Sequence, residues 1–189
     1  MGHKSKGESP KYLSPADAWS LVEAQTHLDR GLVMLCAAIF DRRLEILLRI
    51  KFQLLAPDAT KGEVEFFLTK RPIPPLGSSG LRAKMLRLLG VIDKQTANLL
   101  DDFFSLRNAF AHKETPPALD ECHIAEMCER LPASPKTRFA SYRDDIREQG
   151  DSPIELLKLF TVCLVYALAE AEDRLDAEMV KSGVKYPCS

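Results

Sequence analysis

The sequence predicts an all-α protein, a single-domain helical bundle with two long core helices, a long C-terminal helix and short connecting helices. Three observations predict this class. Apolar residues recur at helical spacing over most of the chain. Serine-proline pairs at 14–15, 134–135 and 152–153 are typical of helix starts. With 189 residues and 46% hydrophobic content, the chain can bury a core, and no segment resembles a strand pair.

The first long helix is predicted to run from Leu28 to Leu55, and Pro57 stops it. Gly31 either kinks this helix or separates it from a preceding helix around residues 19–27. A second long helix opens at Asp93 and turns the apolar side chains Leu99, Leu100, Phe103, Leu106 and Phe110 inward.

The last helix is predicted over Pro153 to Val180, where Ser152 and Glu155 have the spacing of a capping box. Its buried face carries Ile154, Leu157, Phe160, Leu164 and Leu168. Short helices are expected at 81–89 and 119–131, and the prolines and glycines of 71–80 predict a loop. These elements place the helical domain at residues 14–181, between a disordered N-terminal tail at 1–13 and a C-terminal tail at 182–189.

Membrane spans, export signals and disulfides are not expected. The longest apolar run, Leu32 to Phe40, is far shorter than the roughly 20 residues of a spanning helix, and residues 1–11 lack the apolar core of a signal peptide. Five irregularly spaced cysteines without a CxxC pair predict reduced thiols and a cytoplasmic protein. No metal site and no cofactor is predicted.

Charge is unevenly distributed along the chain. The formal net charge is −1, so no overall attraction to nucleic acid or membrane is expected. Residues 42–87 nevertheless hold ten basic against four acidic residues, an excess of +6, and residues 143–178 are acidic. Five basic residues are candidates for a rim that contacts RNA phosphate or an acidic partner: Lys70, Arg71, Arg82, Lys84 and Arg87.

The candidate site is the string RNAFAH at residues 107–112, where the second long helix must end before Pro116 and Pro117. Asn108 and His112 are four residues apart and share a face, so the amide can orient the imidazole. The helix dipole favours the cationic form of His112 at the C-terminal end. The residues three and four positions from Arg107 include no acid, so Arg107 must pair with another helix, face water or bind an anionic ligand.

A series of segments carries a family resemblance: FDRRLE at 40–45, LRAKM at 81–85, LGVI at 89–92 and RNAFAH at 107–112, followed by an apolar helix at 124–131. Over about residues 28–131 this order resembles the mannitol operon repressor (MltR-like) family. The arginine-to-histidine string is also similar to the signature of the wider HEPN superfamily of helical domains.

The resemblance implies two functions. The MltR-like family implies a non-catalytic regulator of sugar-operon expression that has no helix-turn-helix for reading DNA and acts through a protein or RNA partner. The HEPN superfamily implies a metal-independent endoribonuclease. In that case Arg107 would stabilise the pentacoordinate phosphate, Asn108 would position the histidine, and His112 would transfer the proton. Whether the chain forms a homodimer stays open.

A third interpretation is purely structural, because a polar clasp between two helices needs no chemistry at all. Asp41 matches an acidic position of the MltR-like family and is our candidate partner for Arg107, with Glu45 one turn later as support. We expect the leading function to be regulatory, with Arg107 and His112 converging in one polar pocket.

Overall fold

The computed structural model describes residues 29–69, 74–112, 119, 121–131 and 152–184. Within these residues there are six α-helices and no strand, which confirms the all-α class. The helices are α1 (Asp29–Leu55), α2 (Lys61–Leu68), α3 (Ser79–Leu88), α4 (Lys94–His112), α5 (Glu121–Glu129) and α6 (Pro153–Ser182). The predicted tail at 1–13 and the predicted helix around 19–27 lie outside the described residues.

The long helices follow the predicted periodicity closely. Gly31 lies inside α1 and does not interrupt it. Asp93 precedes α4, and its carboxylate accepts a hydrogen bond from the Thr96 backbone N–H at 2.6 Å. This bond gives a partner to one of the N–H groups that the first turn of a helix leaves unpaired. α6 ends at Gly183, which adopts a left-handed conformation with φ of 68°. The local signals for helix starts and stops were therefore sufficient for these elements.

Two local predictions need correction. The short helix α2 was missed, although Thr60 and Glu63 form a capping box in which the Glu63 carboxylate accepts from the Thr60 N–H at 2.7 Å. The capping box predicted at Ser152 is absent, because Ser152 makes no side-chain cap bond. The Glu155 carboxylate instead accepts from Lys158 Nζ at 2.7 Å.

Helix α1 is central to the described bundle and packs against α2, α3, α4 and α6, while α5 packs on α6. Three fully buried phenylalanines meet where α1, α4 and α6 converge. The Phe40 and Phe103 rings meet edge-on with centroids 4.8 Å apart, and Phe103 stacks on Phe160 at 5.9 Å. Each long helix thus contributes one ring to a shared core.

A charged pair also joins α1 to α6. Arg43 Nη1 donates to Glu172 Oε2 at 2.6 Å, and both side chains are buried. Burial raises the pKa of the Glu172 carboxyl, although the nearby Arg43 guanidinium opposes that change. Asp176, one turn further along α6, has a buried Oδ1 without a hydrogen-bond partner, and its negative charge adds to the rise in the pKa of Glu172.

The cysteines behave as small hydrophobic residues. Cys36, Cys128 and Cys163 are buried, and burial raises the pKa of the Cys36 and Cys163 thiols to about 12. These three therefore pack within the core, as predicted from their places in apolar helical patterns. No helix among the described residues is both long enough and apolar enough to cross a membrane.

The aromatic core gives a stability prediction. We expect Phe103→Ala to lower the free energy of unfolding by about 3–5 kcal/mol, because it removes a fully buried ring that packs against both Phe40 and Phe160. Leu88→Ala on α3, where Leu88 is 80% exposed, should change it by less than about 0.5 kcal/mol. Urea denaturation followed by circular dichroism measures both, and equal losses would contradict the shared core.

Candidate functional site

An open cleft lies between α1, α4 and the first turn of α3. Its volume is about 610 Å³. Its lining combines small, apolar and polar side chains: Met34, Ala37, Ala38, Asp41, Gly77, Ser78, Ser79, Gly80, Asp101, Phe104, Ser105, Arg107 and Asn108. The sequence-predicted residues Asp41, Arg107 and Asn108 therefore line the same cleft.

The cleft has two chemically different ends because α1 and α4 run antiparallel. Phe40 of α1 meets Phe103 of α4, whereas Arg30, ten residues earlier in α1, donates to the Ala111 carbonyl at 3.0 Å. The acids Asp41 and Asp101 therefore lie at the α3 end of the cleft. Arg107 and Asn108 lie at the opposite end.

Arg107 is half-buried and faces this cleft. Its Nη1 donates to the Asn108 side-chain oxygen at 2.9 Å. Within the described ranges, no carboxylate lies within ion-pair distance of its guanidinium. The sequence places no acid three or four positions from Arg107, and no other described residue supplies a carboxylate within ion-pair distance.

The predicted pairing of Asp41 with Arg107 is wrong. Asp41 Oδ2 instead accepts from Arg82 Nη1 at 2.9 Å, and Asp41 Oδ1 accepts from the Ser79 hydroxyl at 2.7 Å. Both hydrogen bonds that the Asp41 carboxylate accepts therefore come from α3. A clasp on Asp41 exists, as expected, but α3 provides it in place of α4.

Arg82 is accordingly not part of an exposed basic rim, which corrects that prediction. The residue is only 4% exposed, and its guanidinium also donates to the carbonyls of Leu76 at 2.8 Å and Leu68 at 3.1 Å. The missed signal is positional. Arg82, Ala83 and Leu86 share the buried face of α3, so an arginine at 82 had to lie inside the fold.

Glu45 supports the clasp within a wider ionic network, as expected. Its carboxylate lies 2.8 Å from Arg49 Nη2 and 3.6 Å from Arg82 Nη1. Arg49 also contacts Glu65 of α2 at 2.6 Å. The Arg49 guanidinium and the Thr69 hydroxyl hold the pKa of the Glu65 carboxyl at about 2. The network ties α1, α2 and α3 together.

His112 is the last residue of α4 and is exposed. It does not line the cleft that Arg107 and Asn108 line. The expected convergence of Arg107 and His112 in one pocket is therefore not seen, and Asn108 lines the cleft beside Arg107 instead.

The remaining basic candidates lie outside the cleft lining or outside the described residues. Lys84 and Arg87 are exposed on α3, and Lys84 Nζ lies 3.8 Å from Asp101 Oδ1. Lys70 and Arg71 fall in the part of the chain that is not described. In the residues that can be assessed, no group of three or more His, Cys, Asp or Glu could hold a metal ion.

Comparison with protein-family models, with curated proteins and with solved structures gave no match.

Arg82 and Arg107 provide a matched pair of variants. We expect Arg82→Ala to lower the free energy of unfolding by about 3–5 kcal/mol, because Asp41 and two buried carbonyls lose their donor. Arg107→Ala, which removes only a contact with its own neighbour, should change it by less than about 0.5 kcal/mol. Urea unfolding at neutral pH distinguishes them, and a comparable loss in Arg107→Ala would place a structural clasp at Arg107.

The lowered pKa of Glu65 predicts a pH dependence. The folded-state pKa of about 2 is below the ordinary value of 4.5, so the stabilisation is present above pH 4.5 and disappears as the pH falls toward 2. We expect Glu65→Gln to be less stable than the unaltered chain by about 1 kcal/mol at neutral pH and equally stable near pH 2. Unfolding curves across this range measure the difference, and a gap that persists in acid would contradict the role of ionised Glu65.

Proposed function

We propose that this protein is a non-catalytic regulator that binds a partner protein in the cleft between α1, α3 and α4. In this proposal the helices form an HEPN-like bundle of the MltR-like type, a family that the segments at 40–45, 81–85, 89–92 and 107–112 resemble. The protein would then affect the expression of a sugar operon through its partner, without a helix-turn-helix of its own.

The observation that carries the proposal is the position of Arg107. Its guanidinium lies at one end of an open cleft of about 610 Å³, beside Asn108 and across from Met34. A half-buried guanidinium with five donors is an effective anchor for an acidic side chain. Alanine, phenylalanine and glycine in the same lining offer apolar surface to the rest of a partner segment.

The charges of the cleft favour a protein over nucleic acid as the ligand. A strand of RNA presents phosphates at regular intervals, so it would bring negative charge against Asp41 and Asp101 at the α3 end. Lys84 and Arg87, which would attract phosphate, do not line the cleft. A polypeptide can instead place an acidic side chain near Arg107 and a basic side chain near the acids at the α3 end.

The endoribonuclease alternative has less support from the geometry. It requires the Arg107 guanidinium and the His112 imidazole on the same scissile phosphate, whereas His112 is exposed outside the cleft lining. One measurement separates the two functions. The regulator leaves RNA intact in the presence of EDTA at high protein concentration, while cleavage that Arg107→Ala and His112→Ala both abolish would replace our proposal.

Cleft occupancy can be tested with two tryptophan substitutions. Ala38 is exposed in the middle of the cleft, and Ala177 is exposed on α6 outside it. We expect Ala38→Trp to change transcript levels as deletion of the gene does, and to lose the bound partner, because the indole fills the cleft. Ala177→Trp should behave like the unaltered chain. RNA sequencing and affinity purification from the native cell measure these effects.

Circular dichroism of both tryptophan variants confirms that each is folded before the comparison is made. If Ala38→Trp retains both its partner and normal transcript levels, the cleft is not the site of regulation.

A further inference from the structure

The two ends of the cleft carry opposite charges that are accessible to a ligand. Both anchors belong to α4, Asp101 near the α3 end and Arg107 six residues later. A rise of 1.5 Å per residue places them about 9 Å apart along the helix axis. The cleft is therefore electrostatically directional, with a short apolar stretch between its charged ends.

Arg30 adds positive charge at the Arg107 end. Its guanidinium donates to the Ala111 carbonyl in the last turn of α4, and its side chain is exposed. Carbonyls at a helix C-terminus carry partial negative charge, and Arg30 covers one of them. An acidic side chain that approaches Arg107 from solvent thus meets a basic group one turn beyond it.

Asp101 supplies the opposite charge at the other end. A side-chain carbon at position 80 would lie 3.7 Å from Asp101 Oδ1, so this carboxylate sits beside the first turn of α3. Its only ion pair in the described part of the chain is with Lys84 at 3.8 Å, and both side chains are more than half exposed. Such pairs contribute little, so Asp101 can exchange Lys84 for a cation of the ligand.

Asp41, at the same end, is differently situated. It already accepts from Arg82 and Ser79, and it adds negative potential without offering a fully free carboxylate. Between the two ends, Ala37 and Ala38 form a low floor beside Phe104. Small side chains on a floor allow a polypeptide backbone to approach closely.

We infer that the cleft binds a peptide segment of the partner protein in one direction, with an Asp or Glu on Arg107 and a Lys or Arg on Asp101. The inference rests on the proposed function and names the chemistry of its ligand. For a ligand that lies along α4, the axial rise of about 9 Å between the two anchors corresponds to about three residues of extended chain or six of helix. Small or apolar residues fill the interval between the two charges.

The experiment begins by identifying what occupies the cleft. A photo-crosslinking amino acid is incorporated at position 38 of the full chain in its native cell, with position 177 as the control site. Mass spectrometry then locates the crosslinked residues. We expect position 38, and not position 177, to capture one segment with an acidic and a basic residue at the stated spacing.

The second step tests direction with synthetic peptides. One peptide has the captured sequence, and the other has its acidic and basic residues exchanged. Fluorescence anisotropy should show that Arg107→Glu and Asp101→Lys each weaken the captured peptide about tenfold or more, since two charges of like sign then meet. The double variant should prefer the exchanged peptide. Arg87→Glu, on the exposed side of α3, is the matched control and should change neither affinity.

The outcomes separate the two proposals. If position 38 captures no protein, or captures RNA, both the directional cleft and the proposed function fail. If it captures a protein segment without opposite charges, or if the double variant keeps its preference for the captured peptide, the directional cleft fails and a partner protein remains. Circular dichroism of every variant excludes loss of folding as the cause.

Discussion

The buried guanidinium of Arg82 sets the arrangement of the whole α3 side of the molecule. A charged group that is 4% exposed costs free energy unless donors and acceptors around it are matched. Here the acceptors come from three places at once: Asp41 of α1, the end of α2 at Leu68, and the loop before α3 at Leu76. All three must be in position before the charge is satisfied. The first turn of α3, which forms one wall of the cleft, is therefore held against α1.

This arrangement explains why the cleft can combine a rigid frame with an available anchor. Asp41 is held by Arg82 and Ser79, so it cannot reach across to α4 without leaving those donors. Arg107 consequently remains on the opposite side, in contact with its own neighbour Asn108. The structural arginine and the ligand-facing arginine are different residues on different helices. The Asp41 carboxylate pairs with Arg82 and is therefore not available to Arg107.

The sequence predicted the long helices and their buried faces, because periodicity and capping are local properties. It singled out Arg107 and Asn108, which line a cleft, and it named Asp41 as the partner of Arg107, whereas Arg82 pairs with Asp41. It did not predict which arginine would clasp it, since that choice depends on how α3 crosses α1. The position of Arg82 beside Ala83 and Leu86 was a readable sign of burial. The expected convergence of His112 with Arg107 is not seen, because His112 is exposed at the end of α4 and does not line the cleft.

The position of Asp101 beside the first turn of α3 adds an electrostatic link to the packing of α3 on α4. That turn contains no acidic residue of its own, although a negative charge there offsets the unpaired N–H groups of a helix start. Asp101 of α4 places a carboxylate beside this turn. A neighbouring helix can thus supply the charge that a helix start lacks, and we expect a change at position 101 to act on the start of α3 as well as on the charge of the cleft.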